Sequence, residues 1–197
     1  MIALAERTPG WVVGYLDEVW WSRFAQPMMH SWAPEGDPLR LVSRQKQKGD
    51  VEVKALSCYG VLIEKEPRLE MLLRFVKGRP VSSVTTAFLE WTCQQIRKRG
   101  ERVWVLIWDN ASWHISHEVR SWIRAHNQRS KREGGVRILT CGLPTKSPWL
   151  NPIEPVWLHG KRAICEPDGT LSRADLMGRV CGHYGCELLP PIEQKTA

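Results

Sequence analysis

The sequence lacks the features that mark membrane proteins, secreted proteins and zinc fingers. Its longest uninterrupted apolar run has six residues, Val103–Trp108, whereas a membrane helix needs about 20. The N-terminus has no basic segment ahead of a long apolar stretch, so we expect no secretion signal. The six cysteines match no common zinc-ligand spacing. We therefore expect a cytoplasmic protein with reduced thiols and no contact with a membrane.

Phenylalanine and tyrosine are also scarce, with three of each, while tryptophan occurs eleven times. Hydrophobic residues nevertheless make up 43% of the chain and charged residues 25%, which is typical of a folded globular protein. A chain of 197 residues suits one domain with a substantial core. We predict that this domain covers residues 11–186, between a short lead at 1–10 and a tail at 187–197. The formal charge of +7 permits a polyanionic partner.

The order of the apolar patterns predicts a mixed α/β fold. Strands come first, followed by a helix, a buried strand, a second helix, a strand and two further helices. The expected strands cover residues 11–17, 18–24, 51–63, 69–76, 103–109 and 136–140, and the expected helices cover 80–99, 115–133, 151–165 and 172–184. Residues 27–50 are rich in Pro, Gly and charge and are expected to form a loop. Such a chain should place helices on both faces of one central sheet.

Three acidic residues stand at the ends of these predicted elements. Asp17 ends the first strand, Asp109 ends the buried strand, and Glu154 lies in the first turn of a helix. Loops at strand ends open into crevices where ligands bind, and a carboxylate there is costly unless a cation neutralises it. Carboxylate oxygens suit Mg²⁺, and a pair of such ions can promote displacement at a phosphate. Taken singly, the three have ordinary alternatives: an exposed strand-end acid, a turn residue and a helix N-terminal Glu.

Three segments around these acids carry a family resemblance. Two of them resemble motifs of DDE-type transposases. They are Trp108-Asp-Asn-Ala-Ser-Trp-His114 and Leu143-Pro-Thr-Lys-Ser-Pro-Trp-Leu-Asn-Pro-Ile-Glu-Pro-Val-Trp157. The third, Leu16-Asp-Glu-Val19, is similar to the Asp-Glu pair in the first strand of that group. The acids follow in the family's order, at separations of 92 and 45 residues. The resemblance covers roughly residues 11–165 and points to the mariner superfamily, in its bacterial insertion-sequence branch.

The resemblance implies a ribonuclease H-like fold and an enzyme that cuts DNA and joins the freed 3′-hydroxyl to a target. It also implies that Asp17, Asp109 and Glu154 are the catalytic residues and hold two Mg²⁺ ions, which Mn²⁺ can replace. Asp17 would bridge both ions. Asn110 and His114 match family positions, where they would steady Asp109 or contact a phosphate. Their alternatives are a turn-forming Asn and a His at a helix N-terminus.

Three neighbours of the acids have predicted structural roles. Asn151 is expected to cap the helix that carries Glu154. Trp157, one helical turn beyond Glu154, is expected to belong to the core. Glu18 should point to the opposite face of its strand from Asp17, so we do not count it as a metal ligand.

The resemblance further implies partners. These are DNA, both at the element's ends and at the target, and a second copy of the chain in a homodimer. Full-length relatives carry N-terminal helix-turn-helix modules, whereas ten residues precede the first predicted strand here. We therefore expect either that a separately encoded module recognises the element's ends or that the chain is a truncated or excised catalytic domain. Two other functions stay open, namely a ribonuclease H-like nuclease without transposition and an inactive remnant that binds DNA.

Positive charge is concentrated in the middle of the chain. Ten Lys and Arg and four Asp and Glu lie between Arg97 and Arg137, which gives this segment a net charge of +6. We predict that Arg129, Lys131 and Arg132 contact DNA phosphates. The alternative is that these three residues form only a solvated, charged face of a helix.

Overall fold

The computed structural model describes residues 2–24, 48–65, 68–145, 147–164 and 170–194. Most of the loop expected at residues 27–50 lies outside these ranges. The strands are β1 (Trp11–Ser22), β2 (Ala55–Lys65), β3 (Arg68–Lys77), β4 (Val103–Trp108), β5 (Arg137–Gly142) and β6 (Ile192–Glu193). The helices are α1 (Ile2–Arg7), α2 (Ser82–Lys98), α3 (His117–Glu133), α4 (Ile153–Ile164) and α5 (Arg173–Tyr184), with a short 3₁₀ helix at Pro148–Leu150.

The strands of the described ranges form one mixed sheet in the order β5-β4-β1-β2-β3-β6. Strands β1, β2 and β3 pair antiparallel. A connection of two residues joins β2 to β3, as is common between antiparallel neighbours, whereas β1 and β2 are separated by the long segment 23–54. Strands β4 and β5 instead run parallel to β1, because a helix precedes each of them and carries the chain back. The predicted α/β fold with a mixed central sheet is therefore confirmed.

Two hydrophobic cores cover the two faces of this sheet. On one face, apolar residues of α2 and α3 such as Phe88 and Val119 pack against the strands. On the other face, residues of α4 and α5 such as Trp157 and Leu176 do the same. The expectation of helices on both faces is therefore also confirmed. None of the helices in the described ranges has the length and apolar composition needed to span a membrane.

The strongest local patterns lead to the expected elements. All six residues of β4 are buried, which explains its unbroken apolar sequence. Helix α3 begins after Ser116, whose hydroxyl oxygen accepts a hydrogen bond from the Val119 N–H at 3.2 Å. It ends at Gly134, which adopts a left-handed conformation with φ 72°.

The structure corrects the prediction at three places. The two strands expected at 11–17 and 18–24 are the single strand β1, because its buried side chains continue past Asp17 to Trp21. The lead at 1–10 contains helix α1. The expected tail at 187–197 contributes β6 to the sheet, where Ile192 pairs with Val76 and is buried.

The register of two parallel strands determines where the first two acids lie. Strands β1 and β4 pair from Trp11 with Val103 to Tyr15 with Ile107, so each pair is separated by 92 residues in sequence. The same separation relates Asp17 to Asp109. The two acids therefore follow the last pair at the same level of the sheet, on neighbouring strands.

Candidate active site

The three predicted acids meet at one open cavity of about 360 Å³ at the carboxyl end of β4. Asp17 comes from the middle of β1, Asp109 from the residue after β4, and Glu154 from the first turn of α4. Asn110 and Asn151 also line the cavity. The structure thus brings together residues that lie far apart in the sequence.

Asp17 is held by the helix that carries Glu154. The Trp157 indole N–H donates a hydrogen bond to Asp17 Oδ2 at 3.1 Å. The indole ring lies over Gly60, the residue of β2 opposite Asp17, where a Cβ would collide with it. Trp157 is 2% exposed and packs edge-on against Trp21, so its expected place in the core is confirmed.

Negative charge accumulates around Asp17. Burial raises the pKa of this carboxyl from 3.8 to about 8, and the nearby charges of Glu154, Glu18 and Asp109 act in the same direction. A carboxylate in this setting is stabilised by a cation far more than an isolated surface acid would be.

Asp109 is oriented through one of its two carboxylate oxygens. Oδ1 lies 2.8 Å from His114 Nδ1 and accepts the Ala111 N–H at 3.0 Å. The hydrogen bond with His114 holds the pKa of Asp109 below its ordinary value, although partial burial opposes it. These contacts occupy Oδ1 and fix the carboxylate, so that Oδ2 is the oxygen available to a ligand.

His114 connects Asp109 to a second acid. Its Nε2 lies 2.7 Å from Glu18 Oε1, which also accepts the Trp113 indole N–H at 3.2 Å. The imidazole is 1% exposed and stacks on Trp108 with ring centroids 4.6 Å apart. Burial lowers the pKa of His114, but the hydrogen bonds to Asp109 and Glu18 outweigh this and raise the pKa to about 9. His114 therefore contacts Asp109 directly, as one of its two expected roles requires, and the role itself stays a prediction.

The two asparagines connect the elements around the cavity. The Asn110 amide donates to the Leu143 carbonyl at 2.6 Å and so joins the loop after β4 to the loop after β5. The Asn151 amide donates to the Leu16 carbonyl at 3.2 Å, immediately before Asp17. The prediction that the Asn151 side chain caps α4 is therefore wrong, because Oδ1, the atom that would accept a helix N–H, has no hydrogen-bond partner among the described residues.

The cavity has the donor set that suits a hard divalent cation. Its acids supply oxygen atoms alone, and the Asn151 Oδ1, in a side chain 3% exposed, has no hydrogen-bond partner among the described residues. Mg²⁺ and Mn²⁺ prefer such oxygens. Within the described ranges, no three acidic, His or Cys side chains already converge on one metal position. Mg²⁺ commonly completes its coordination with water and substrate phosphate, so an open acidic cavity fits it.

Sequence reasoning missed two features of this site. It set Glu18 aside because β alternation directs it away from Asp17, and the structure confirms the direction. The far side of the strand is where His114 lies, so Glu18 reaches Asp109 through that ring. Gly60 was also missed, although a glycine inside a strand often marks a close approach of another group.

The basic residues expected to contact DNA do not form one cluster. Arg129 lies on the side of α3 that faces α2, with its guanidinium 3.7 Å from Glu90. Lys131 and Arg132 are exposed near the end of the same helix. Their predicted role in DNA binding stays a prediction.

The mixed sheet, covered by helices on both faces and bearing acids from three separate elements, defines a ribonuclease H-like domain with an acidic cavity. The chain belongs to the DDE superfamily endonucleases, whose family model matches residues 12–173. Family membership agrees with the resemblance carried by the three sequence motifs. Among proteins of curated function, none matches the sequence.

Solved transposase structures share the fold. The Mos1 transposase paired-end complex with left transposon end aligns with a TM-score of 0.62 at 16% identity, over 89% of this chain and 48% of that chain. The mariner Mos1 paired end complex with Mg gives 0.62 at 14% identity, over 93% and 50%. The Mos1 strand transfer complex gives 0.60 at 15% identity, over 89% and 47%. The chain thus spans about half the length of the transposase chains it matches.

Proposed function

We propose that this chain is the catalytic domain of a transposase that hydrolyses DNA phosphodiesters with a divalent metal and joins the freed strand to target DNA. The observation that carries the proposal is the meeting of Asp17, Asp109 and Glu154 in one cavity from three separate elements. Membership of the DDE superfamily endonucleases supports the cleavage step. The Mos1 strand transfer complex, which shares the fold, supports the joining step.

The three acids share one task in this proposal, which is to hold the metal. Asp17, Asp109 and Glu154 would hold Mg²⁺, or Mn²⁺ in its place, as a pair of ions. When bound, the metal acts as a Lewis acid on the phosphate and offsets the negative charge that develops there. The chain itself supplies position, because the transferred groups must be aligned before reaction.

The residues around the acids supply this alignment. The Trp157 N–H fixes the carboxylate of Asp17, and His114 with the Ala111 N–H fixes that of Asp109. The amide of Asn151 ties the strand before Asp17 to the start of α4, which carries Glu154. Small shifts of such groups lower catalytic rates steeply, because binding geometry is lost before chemistry begins.

Nicking of supercoiled DNA in Mg²⁺ or Mn²⁺ tests the cleavage step. We expect the wild-type chain to nick the plasmid and Asp109→Asn to lose nicking, because the amide keeps the shape of the side chain without its charge. Glu133→Gln removes an exposed acid at the end of α3 and should retain full nicking. Equal nicking by wild type and Asp109→Asn would contradict the proposal.

The joining step separates the alternatives. A chain that nicks DNA but forms no strand-transfer product with a 3′-hydroxyl end is a nuclease without transposition. A chain that binds DNA without metal-dependent cleavage is an inactive remnant. Because the chain spans about half of the transposases it resembles, the homodimer and the separately encoded helix-turn-helix module stay predictions, as does the bacterial insertion-sequence branch.

A further inference from the structure

The basic residues of helix α3 do not all lie on one face. At about 100° per residue, Arg120, Arg124 and Lys131 fall on one side of the helix. Arg129 and Arg132 fall on others, and Arg129 reaches Glu90 of α2. We name the side that carries Arg120, Arg124 and Lys131 the β5-side face.

Contacts on the buried side fix how α3 is rotated. The Asn127 side chain hydrogen-bonds both the N–H and the carbonyl of Ile138 in β5, each at 2.8 Å. His126 hydrogen-bonds the Val136 carbonyl at 2.8 Å, just before the same strand. Arg120, Arg124 and Lys131 lie next to Asn127 around the helix, so their face borders the β5 edge of the sheet and turns away from α2.

The β5-side face carries positive charge that is not balanced locally. Its three basic residues are exposed, and none forms an ion pair with any residue in the described part of the chain. The acids of α3, Glu118 and Glu133, point to the other side of the helix, at about 100° per residue. The face is therefore complementary to a polyanion, whereas the α2 side of the helix mixes both signs of charge.

The face also leads away from the acidic cavity. The loop that begins at Asp109 ends at Ser116, and α3 follows at once. Arg120 therefore lies within about one turn of the helix N-terminus, and Lys131 lies roughly 16 Å further along the axis. If a duplex places one phosphate in the cavity, its other phosphates can lie along α3 between Arg120 and Lys131, because duplex DNA carries a charge about every 1.7 Å of axis.

We propose that Arg120, Arg124 and Lys131 form a track that binds the phosphate backbone of duplex DNA beside the acidic cavity. This inference rests on the proposed function, because it takes DNA as the substrate. It differs from the set Arg129, Lys131 and Arg132 expected from the sequence, of which only Lys131 lies on the β5-side face. The track contacts phosphates, so it contributes affinity without sequence preference.

Two double variants of the full chain test this track, because α3 offers matched pairs of exposed arginines. Arg120→Gln with Arg124→Gln alters the β5-side face, and Arg129→Gln with Arg132→Gln makes the same charge change elsewhere on the helix. Binding to a fluorescein-labelled duplex of about 30 base pairs is followed by anisotropy between about 50 and 200 mM KCl in EDTA. Circular dichroism melts check the folding of both variants.

We expect the first pair to lower the slope of log K against log salt by about 0.9 for each lost contact, or about 1.8 in total. At about 100 mM KCl this corresponds to a loss of affinity on the order of tenfold or more. The second pair should leave the slope near that of the wild type. Replacing Arg120 and Arg124 with lysine should restore most of the slope, which separates lost charge from lost folding.

An equal fall in slope for both pairs would overturn the track, because it would reflect net charge alone. An unchanged slope for the first pair would overturn it as well. A wild-type chain that binds no duplex at low salt would overturn the track together with its assumption of a DNA substrate. A wild-type chain that binds DNA with the expected difference, but nicks none in Mg²⁺, would support the track and contradict only the proposed catalysis.

Discussion

Replacing His114 with alanine should destabilise the fold by about 3–5 kcal/mol. The Glu18 side chain is 8% exposed and would lose a hydrogen bond of 2.7 Å, which accounts for roughly 2–3 kcal/mol. The Asp109 side chain is 53% exposed, so water replaces much of its hydrogen bond with His114, and losing that bond costs about 1 kcal/mol of stability or less. The stacking of the imidazole on Trp108 adds about 1 kcal/mol.

Urea denaturation followed by circular dichroism, in metal-free buffer, measures this loss. In a thermal melt of the same sample, the melting temperature should fall by roughly 9–15 °C, at about 3 °C per kcal/mol for a chain of this length. His117→Ala, an exposed histidine three residues further on, should change stability by less than about 0.5 kcal/mol. In a double variant with Glu18→Ala, the combined loss should be smaller than the sum by about 1–3 kcal/mol, because no buried carboxylate is left unpaired. A loss below about 1 kcal/mol for His114→Ala, or strict additivity, would refute the reasoning.

Three further predictions follow from other contacts. Gly60→Ala should lower the melting temperature and alter the near-UV circular dichroism, because a Cβ would collide with Trp157. The control Gly178→Ala places its Cβ in open space in α5 and should be neutral or slightly stabilising. Equal effects of the two substitutions would contradict the collision. Asp17→Asn should raise the melting temperature at neutral pH in metal-free buffer, because the raised pKa of about 8 means that folding must protonate this carboxyl or bury its charge among other acids, and an amide avoids both costs. Added Mg²⁺ should then stabilise the wild type alone, and a wild type that Mg²⁺ does not stabilise would count against a metal site. Burial lowers the pKa of His126 below its ordinary 6.5, so the unfolded chain takes up the proton first and stability should fall as the pH drops through 6.5 towards the folded pKa. His126→Gln should flatten that part of the pH profile, and parallel profiles would show that another group is responsible.

The parts of the fold that the sequence predicted are those with strong local patterns. Each of these patterns lies within a few residues of the sequence. They are the apolar run of β4, the serine and glycine at the two ends of α3, and the acids within the three motifs. The break expected after Asp17 was wrong because a charged pair interrupts the apolar pattern, whereas the strand continues through it. The short strand β6 was missed because two residues carry too little pattern to predict pairing.

The candidate site was predicted in its acids and only in part in their supports. Asn151 was recognised but assigned to a helix cap, since sequence alone does not reveal that Leu16 presents its carbonyl to the amide. The basic residues were grouped by proximity in sequence, whereas the rotation of α3 separates Arg129 from Lys131. The wrong cap and the separation of these basic residues have the same cause, because the direction of a side chain depends on what the element packs against.

The sequence by itself determined which carboxylates this protein offers, their order and the family to which it belongs. Tertiary structure alone decided that the offset of 92 residues between β1 and β4 brings Asp17 level with Asp109. It also decided that Trp157 reaches Asp17 over a glycine and that Glu18 supports Asp109 through His114. The physical reason is that a carboxylate's chemistry is local to its residue, while its neighbours and orientation come from strands and helices distant in the chain.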